Sequence, residues 1–238
     1  MHKMNSYNKK NKQNTEFDKI RAKSLELAKI DLNKELNTDI KVIEIIKTIR
    51  ALDKTRSLLA KRLREISHHF FPRLAKSDID IDELVQKIEE RIKTNNIEEA
   101  GATLDESSKK LLNLLIGEIK NKTKEKEKLI KHIKELLERY CPRLVKLAGP
   151  IITAELIEHA GSLKRLASWP ASTIQVLGAE KALFKHLIFK TKPPKYGVLY
   201  QHPLVQEAKQ KDKGKVARRL ADKIVIAARQ DFFSKHKV

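Results

Sequence analysis

Two long apolar seams, each followed by a proline, constrain this chain more than any other feature. From Ile40 onward, Val42, Ile45/Ile46, Ile49, Leu52, Leu59, Leu63, Ile66 and Phe70 recur at spacings of three, four or seven. That period lays one stripe along one face of a helix. Pro72 has no amide to continue the ladder and is the expected stop. A second seam begins near Leu104-Asp105-Glu106. It runs through Leu112, Leu115 and Ile119, then Leu129, Ile133, Leu136 and Tyr140, with Pro142 as its expected end. Between the seams, SDIDIDELVQKIEERIKTNN reads as a shorter helix capped by Asp80 or Asp82 and ended by Asn95-Asn96. The pattern predicts an antiparallel helical hairpin, a coiled-coil arm over residues 25–141. KNKTKEKEK (120–128) puts Lys122 and Lys126 at seam positions. Either the arm packs weakly there, or the two lysines snorkel outward over the partner helix. Periodicity does not separate a plain bundle from a spacer or partner-binding arm.

After Pro142 the texture changes. Between Gly149 and Pro203 stand 9 of the chain's 14 glycines and prolines. Such punctuation predicts a compact unit of short helices over residues 142–238, so the whole chain reads as all-α. GPIITAELIEHAG is a helix with Gly161 as its left-handed cap. SLKRLASW is a second short element. PASTIQVLG starts near Pro170 and stops at Gly178. Ala179 then opens a helix with Glu180 and Lys181 in its first turn. The last helix is expected from Lys213 to Phe233, with Val216, Leu220, Ile224, Ala227/Ala228 and Asp231–Phe232 on its seam. At the other end, residues 1–24 are polar and rich in Lys and Asn, and read as a mobile basic arm.

Charge narrows the function. The 238 residues carry 51 Lys+Arg against 31 Asp+Glu, a formal net charge of +20. A surplus of that size favours a polyanion, because each phosphate contact releases condensed counterions. Nucleic acid is the first candidate and an anionic membrane surface the second. No apolar run approaches the ~18 residues of a membrane span, and the polar first residues do not read as a signal peptide. The single cysteine, Cys141, excludes an internal disulfide and a cysteine metal cluster. Among apolar neighbours it reads as a buried structural thiol. The expectation is an intracellular, cytoplasmic protein without a membrane partner. The histidines are scattered, and His68-His69 point in different directions on a helix, which argues against a metal site. Glu158, His159 and Ser162 are close in sequence but lack a strand-turn-helix nucleophile setting. No glycine loop for a nucleotide is present. Neither an enzyme nor a cofactor is expected.

Basic chemistry gathers at the C-terminal end. From Lys185 to Val238 there are 14 lysines and arginines against 4 acidic residues, an excess of ten. On the last helix Lys215, Arg219 and Lys223 stand four apart, with Arg218 beside them, as one stripe suited to phosphates. Phe184, Tyr196 and Tyr200 lie among lysines, a mixture that stacks on splayed bases while the cations hold the backbone. At least one of Phe184 and Tyr200 is expected in the core. The competing reading is a helical interaction scaffold whose charge serves solubility. RNA affinity that falls steeply with salt separates the two.

HAGSLKRLASWPASTIQVLGAEKALFKHL resembles the Nop domain, and so do KTKPPKYGVLYQHPLV and GKVARRLADKIVIAARQDFF. LAKRLREISHHFFPRL is similar to that family's coiled-coil segment, so the resemblance covers roughly residues 40–233. It implies an all-helical, non-enzymatic RNA-binding assembly protein: an arm plus a ribonucleoprotein-binding module. That module recognises a kink-turn RNA of the box C/D kind already held by a small kink-turn-binding protein. The resemblance places Gln175 of PASTIQ and the GAEKALFK residues Gly178, Ala179, Glu180, Lys181, Leu183, Phe184 and Lys185 at the RNA. Gly178 would let the backbone turn close to the partner, and the next helix's first amides would suit a phosphate. Glu180 and Lys181 would make polar contacts, and Leu183-Phe184 would wedge against a terminating base pair. Lys185 stands where many relatives have arginine, keeping the charge but losing the planar fork. Lys195 of PPKYG stands where some relatives place a histidine near the flipped base. About 39 residues precede the first long helix, too few for the N-terminal domain that binds the fibrillarin methyltransferase in archaeal relatives. The expectation is a minimal Nop protein that does not recruit fibrillarin. The alternative is a subunit of methylation-guide particles, self-associating through residues 40–140 of the arm.

Overall fold

The computed structural model describes residues 21–27, 29, 37–76, 78–94 and 101–234. It divides into two compact units, residues 1–41 and 42–238. In the first, residues 21–27 are helical. The side-chain oxygen of Asn37 accepts from the Ile40 amide at 3.0 Å, capping the start of helix α1 (Thr38–Ser67). The expected basic arm, residues 1–24, lies outside the described residues except for 21–24, which are helical.

In the second unit the described residues form helices and the turns between them, with no strand among them. α1 stops at Ser67, five residues before Pro72, and Phe70 belongs to the turn that follows. Pro72 instead opens the short helix α2 (Pro72–Lys76), where its missing amide costs nothing. Then come α3 (Ile81–Thr94) and α4 (Glu106–Tyr140). Of the two candidate caps for α3, Asp80 is used: its carboxylate accepts from the Asp82 amide at 3.3 Å. Asn95-Asn96, the expected stop, lie outside the described residues. α4 starts as expected, with Asp105 accepting from the Ser108 amide at 3.1 Å.

Two cores show that α1 and α4 run antiparallel. Leu63 of α1 shares one core with Leu112 and Ile116 of α4, and Phe71, Leu84 and Ile88 complete it. Ile46 and Ile49 share the other core with Ile133 and Leu137. Between the two cores neither helix buries a residue from 50 to 59 or from 120 to 132. At this polar waist the Lys126 ammonium crosses to Asp53 at 2.7 Å, while Lys122 pairs along its own helix with Glu125 at 2.9 Å. The arm therefore packs through its two ends, and Lys126 reaches over the partner helix. The inner positions on α4 are Ile116 and Leu137, each one residue beyond the expected Leu115 and Leu136. A straight helix drifts against a seven-residue repeat, and 35 residues are long enough to show it.

The second core continues into a cluster of short helices. These are α5 (Pro142–Ala148), α6 (Pro150–Ala160), α7 (Leu163–Ser168), α8 (Ala171–Val176) and α9 (Glu180–Phe189). A 3₁₀ turn (Val198–Gln201), α10 (Pro203–Gln206) and α11 (Lys213–Ser234) follow. α6 is central, burying every residue from Ile152 to Ile157 as well as Ala160. Its buried Glu155 accepts from the Gln201 side chain at 2.8 Å and faces Arg50 of α1 at 3.6 Å. The same arginine reaches Glu158 at 2.6 Å, so one α1 side chain ties the arm to the cluster through two carboxylates.

α11 lies across α5, α7 and α8 and is fixed by a long-range cap. Cys141, buried as expected, precedes α5 but offers its first amides no side-chain bond. The buried Asp231 of α11 supplies it, accepting from the Leu144 amide at 2.9 Å and the Arg143 amide at 3.3 Å. This explains an acid on the seam of an otherwise apolar helix face. Asp231→Ala is expected to destabilise the unit by about 3 kcal/mol in urea unfolding, because buried amides lose a charged acceptor. Asp231→Asn, which keeps one carbonyl oxygen, should lose about half of that.

Candidate nucleic-acid interface

The site is built on two glycine turns pressed against each other. Gly178 follows α8 with φ 86° and its Cβ position lies 2.6 Å from a Val198 methyl and 3.3 Å from His159 Nε2. Left-handed backbone and lack of space both demand glycine there. The opposing turn contains Gly197, whose amide donates to Gln175 O at 3.0 Å, while the Val198 amide donates to Leu177 O at 2.7 Å. A Cβ on Gly197 would lie 1.9 Å from Leu177 O. The close approach that Gly178 permits is thus to the chain's own Val198 and His159. Gly197 was not expected; its only trace in sequence is the proline-rich PPKYG turn.

Gln175 ties the pieces together. Its amide nitrogen donates to Lys195 O at 2.8 Å and to Gly214 O at 3.3 Å. One side chain therefore joins α8, the loop carrying Lys195 and the first turn of α11. Lys195 itself is exposed. Lys213, at the start of α11, sits over the Tyr200 ring at 4.9 Å. Tyr200 in turn stacks on Tyr196 with ring centres 4.9 Å apart and planes 16° apart.

Glu180 turns back on its own helix start. One carboxylate oxygen accepts from the Gly178 amide at 2.7 Å and lies 3.3 Å from His159 Nδ1. Partial burial pushes the Glu180 carboxyl up, but bonds from its own and the Gly178 amides and the nearby His159 outweigh it and hold the group below the ordinary glutamate range. Ala179, the cap residue, offers no side chain to the first amides of α9. A depressed carboxyl steadies the turn above its unfolded-state value and loses that contribution as pH falls through its folded-state value. Protection of the Gly178 amide from exchange should therefore be intact near neutrality and decline below about pH 4.5, the ordinary glutamate value. Glu180→Gln should flatten that decline.

α9 buries none of its ten residues. Leu183 is half-buried, but Phe184, Leu187, Ile188 and Phe189 are 62%, 63%, 52% and 70% exposed. Lys181 and Lys185 are exposed on the same helix. The expectation that Phe184 or Tyr200 is core is corrected: both are exposed, because α9 projects from the cluster and Tyr200 leans on Tyr196 at its edge. Leu187, Ile188 and Phe189 were not expected at the site; their signal was an apolar run on a helix already flanked by lysines.

Lys215, Arg218, Arg219 and Lys223 are exposed on α11, opposite its buried Leu220, Ala221 and Ile224. Arg218 pairs with Asp222 at 3.7 Å. At ~1.5 Å per residue, Lys223 lies about 12 Å along the helix from Lys215. Lys215 thus stands near the glycine turns, and Lys223 well beyond them. Among the described residues, no group of three His, Cys, Asp or Glu is placed to hold a metal ion. Among them also, no helix is long and apolar enough to cross a membrane.

Known proteins resemble this chain. The family model described as "Nop: snoRNA binding domain, fibrillarin" matches residues 31–238. The chain belongs to the Nop family. An uncharacterized NOP5 family protein of Methanocaldococcus jannaschii is 36% identical over 217 residues, covering 80% of this chain and 51% of that protein. Nucleolar protein 58 of Saccharomyces cerevisiae is 36% identical over 215 residues, covering 81% of this chain and 42% of that protein. The chain thus spans about half or less of the length of these Nop relatives. A chain of the crystal structure of a fibrillarin/Nop5p complex matches with a TM-score of 0.51 and 24% identity, covering 91% of this chain and 70% of its own length. That likeness shows the fold. The expectation that fibrillarin is not a partner has no support here. The family description and the solved complex both name fibrillarin, and the point where this sequence begins decides nothing about it.

Proposed function

We propose that this Nop chain is a non-enzymatic assembly protein that binds a box C/D-like kink-turn RNA together with its kink-turn-binding protein. The observation that carries the reading is α9. A helix with four large apolar side chains more than half exposed, standing among lysines, suits a surface that is part protein and part RNA. Phe184 and Leu183 would meet a base pair or the bound protein. Lys181, Lys185, Lys195 and Lys215 would hold phosphates, with Arg218, Arg219 and Lys223 extending the contact. With the Glu180 carboxylate on its own and the Gly178 amides and no cap side chain from Ala179, the Lys181 and Ala182 amides would be the ones to meet a phosphate. Gly178, Glu180 and Gln175 would act mainly by shaping the turn.

On this reading residues 142–238 are the ribonucleoprotein-binding module, residues 25–141 the arm and residues 1–24 a basic extension. Ultraviolet cross-linking of the chain to a preformed kink-turn ribonucleoprotein tests it. Cross-links are expected on peptides spanning residues 178–196 and 213–223; cross-links confined to the arm would overturn it. A second reading, a self-associating subunit of methylation-guide particles that meets fibrillarin, draws on the arm. Leu58, Leu111 and Leu114 are 61%, 47% and 63% exposed there. A dimer in sedimentation equilibrium that Leu58→Glu/Leu114→Glu makes monomeric would favour it.

A further inference from the structure

Beside the Asp231 cap, a groove of about 460 Å³ opens between α5 and α11. Arg143, Lys146 and Leu147 line it from α5, and Lys223, Ile226 and Gln230 from α11. It gathers three cations and no exposed carboxylate. Asp231, next to it, is 1% exposed and is occupied by the amides of α5 and by Arg143 at 3.5 Å. Its apolar floor is made by Ile226, 57% exposed, half-buried Leu147 and buried Ala227.

The groove continues the basic stripe. Lys223 is both the last member of the Lys215–Arg219–Lys223 row and part of the groove wall. From Lys213, which covers Tyr200 at the glycine turns, to Lys223 is about 15 Å of helix. A track of cations thus leads from the glycine turns to the groove. Arg143 and Lys146 are far from Lys223 in sequence and join it because α5 packs on α11 through Leu144, Val145, Ala148, Ile224 and Ala228, with Asp231 capping α5.

We infer that this groove is a second RNA contact, taking one unpaired nucleotide of a strand that leaves the first site along α11. The inference rests on the reading of the chain as an RNA-binding protein. Arg143, Lys146 and Lys223 hold the phosphates on either side of the nucleotide. Its base lies on Ile226 and Leu147, with the Gln230 amide at the base edge. The volume falls in the range of small-ligand sites. An acidic amphipathic helix meets the same cations, but it brings a long apolar face and finds only Leu147, Ile226 and the small Ala227 on the floor. A strand of phosphates also uses the whole stripe that leads in.

The test is fluorescence anisotropy of the full chain with a labelled oligouridylate of eight nucleotides across a salt series. Lys146→Glu/Lys223→Glu should weaken binding at least tenfold. It should also make the fall of log affinity with log salt shallower by about 1.4, at roughly 0.7 per lost phosphate contact on a single strand. Ile226→Ser removes an exposed methyl surface without touching the core; it should weaken binding severalfold and leave the slope unchanged. Methyl signals of Ile226 and Leu147 should shift on titration in the wild type. Unchanged affinity and slope in the double variant overturn the inference. So does an oligoglutamate peptide that shifts the same methyls and is not displaced by oligouridylate. A chain that fails on kink-turn ribonucleoprotein but shows groove-dependent oligouridylate binding keeps this inference and loses the kink-turn reading. The opposite pattern does the reverse.

Discussion

Gly197→Ala is expected to destabilise the chain by about 4 kcal/mol, at the upper end of what single substitutions do. The added methyl would lie 1.9 Å from the Leu177 carbonyl oxygen and 2.7 Å from its carbon. Both are backbone atoms, so no rotamer change relieves the contact. That carbonyl also accepts the 2.7 Å bond from the Val198 amide, and moving it away breaks the bond that joins the two turns. Gly117, in mid-helix with open space around its Cβ position, is the control. Gly117→Ala should be neutral to stabilising by about 1 kcal/mol, the ordinary helix preference. Urea unfolding of the two variants measures the contrast. A Gly197→Ala chain as stable as the wild type would mean that the turns are not packed as described.

The second large effect falls on binding. Phe184→Ala/Leu187→Ala should leave the melting temperature within a degree or two, because both side chains are more than 60% exposed and bury almost nothing at home. The same change should weaken binding to kink-turn ribonucleoprotein by about a hundredfold. Truncating two apolar anchors at the centre of an interface costs on the order of 2–4 kcal/mol. Lys181→Ala/Lys185→Ala should weaken binding less and reduce its salt dependence. If the apolar pair changes stability but not affinity, α9 is a poorly packed element rather than an interface.

How much of this was legible in the residues follows from the range of each interaction. The ends of helices are local. Asp105 caps α4, Gly161 (φ 81°) ends α6, and Pro142, Pro150 and Pro203 sit in first turns, all readable from a few neighbours. The last helix runs Lys213–Ser234, one residue beyond its expected end. The GAEKALF start was placed correctly because Gly178 and Ala179 break two helical runs locally. What escaped depends on chain brought from afar. Asp231 caps a helix 87 residues away, and nothing near it says so. Gly197 is required only because Leu177 lies against it. Phe184 and Tyr200 looked like core residues because large apolar groups usually are; only the three-dimensional fold shows that Phe184, Leu187, Ile188 and Phe189 of α9 are more than half exposed among the described residues. At the arm's waist, sequence left two options for its lysines; Asp53, 73 residues from Lys126, draws that lysine over the partner helix, while Lys122 stays with Glu125 of its own helix.

Binding to a kink-turn RNA with and without its kink-turn-binding protein, followed by gel shift from low to high salt, separates recognition of a composite surface from binding by charge alone. Tight binding is expected only to the preformed complex, with affinity that falls with salt and a large loss in the Phe184→Ala/Leu187→Ala variant at every salt concentration. Equal binding to naked kink-turn RNA and to unrelated RNA, indifferent to that variant, would contradict that expectation and leave only the charge of the chain as its means of recognition.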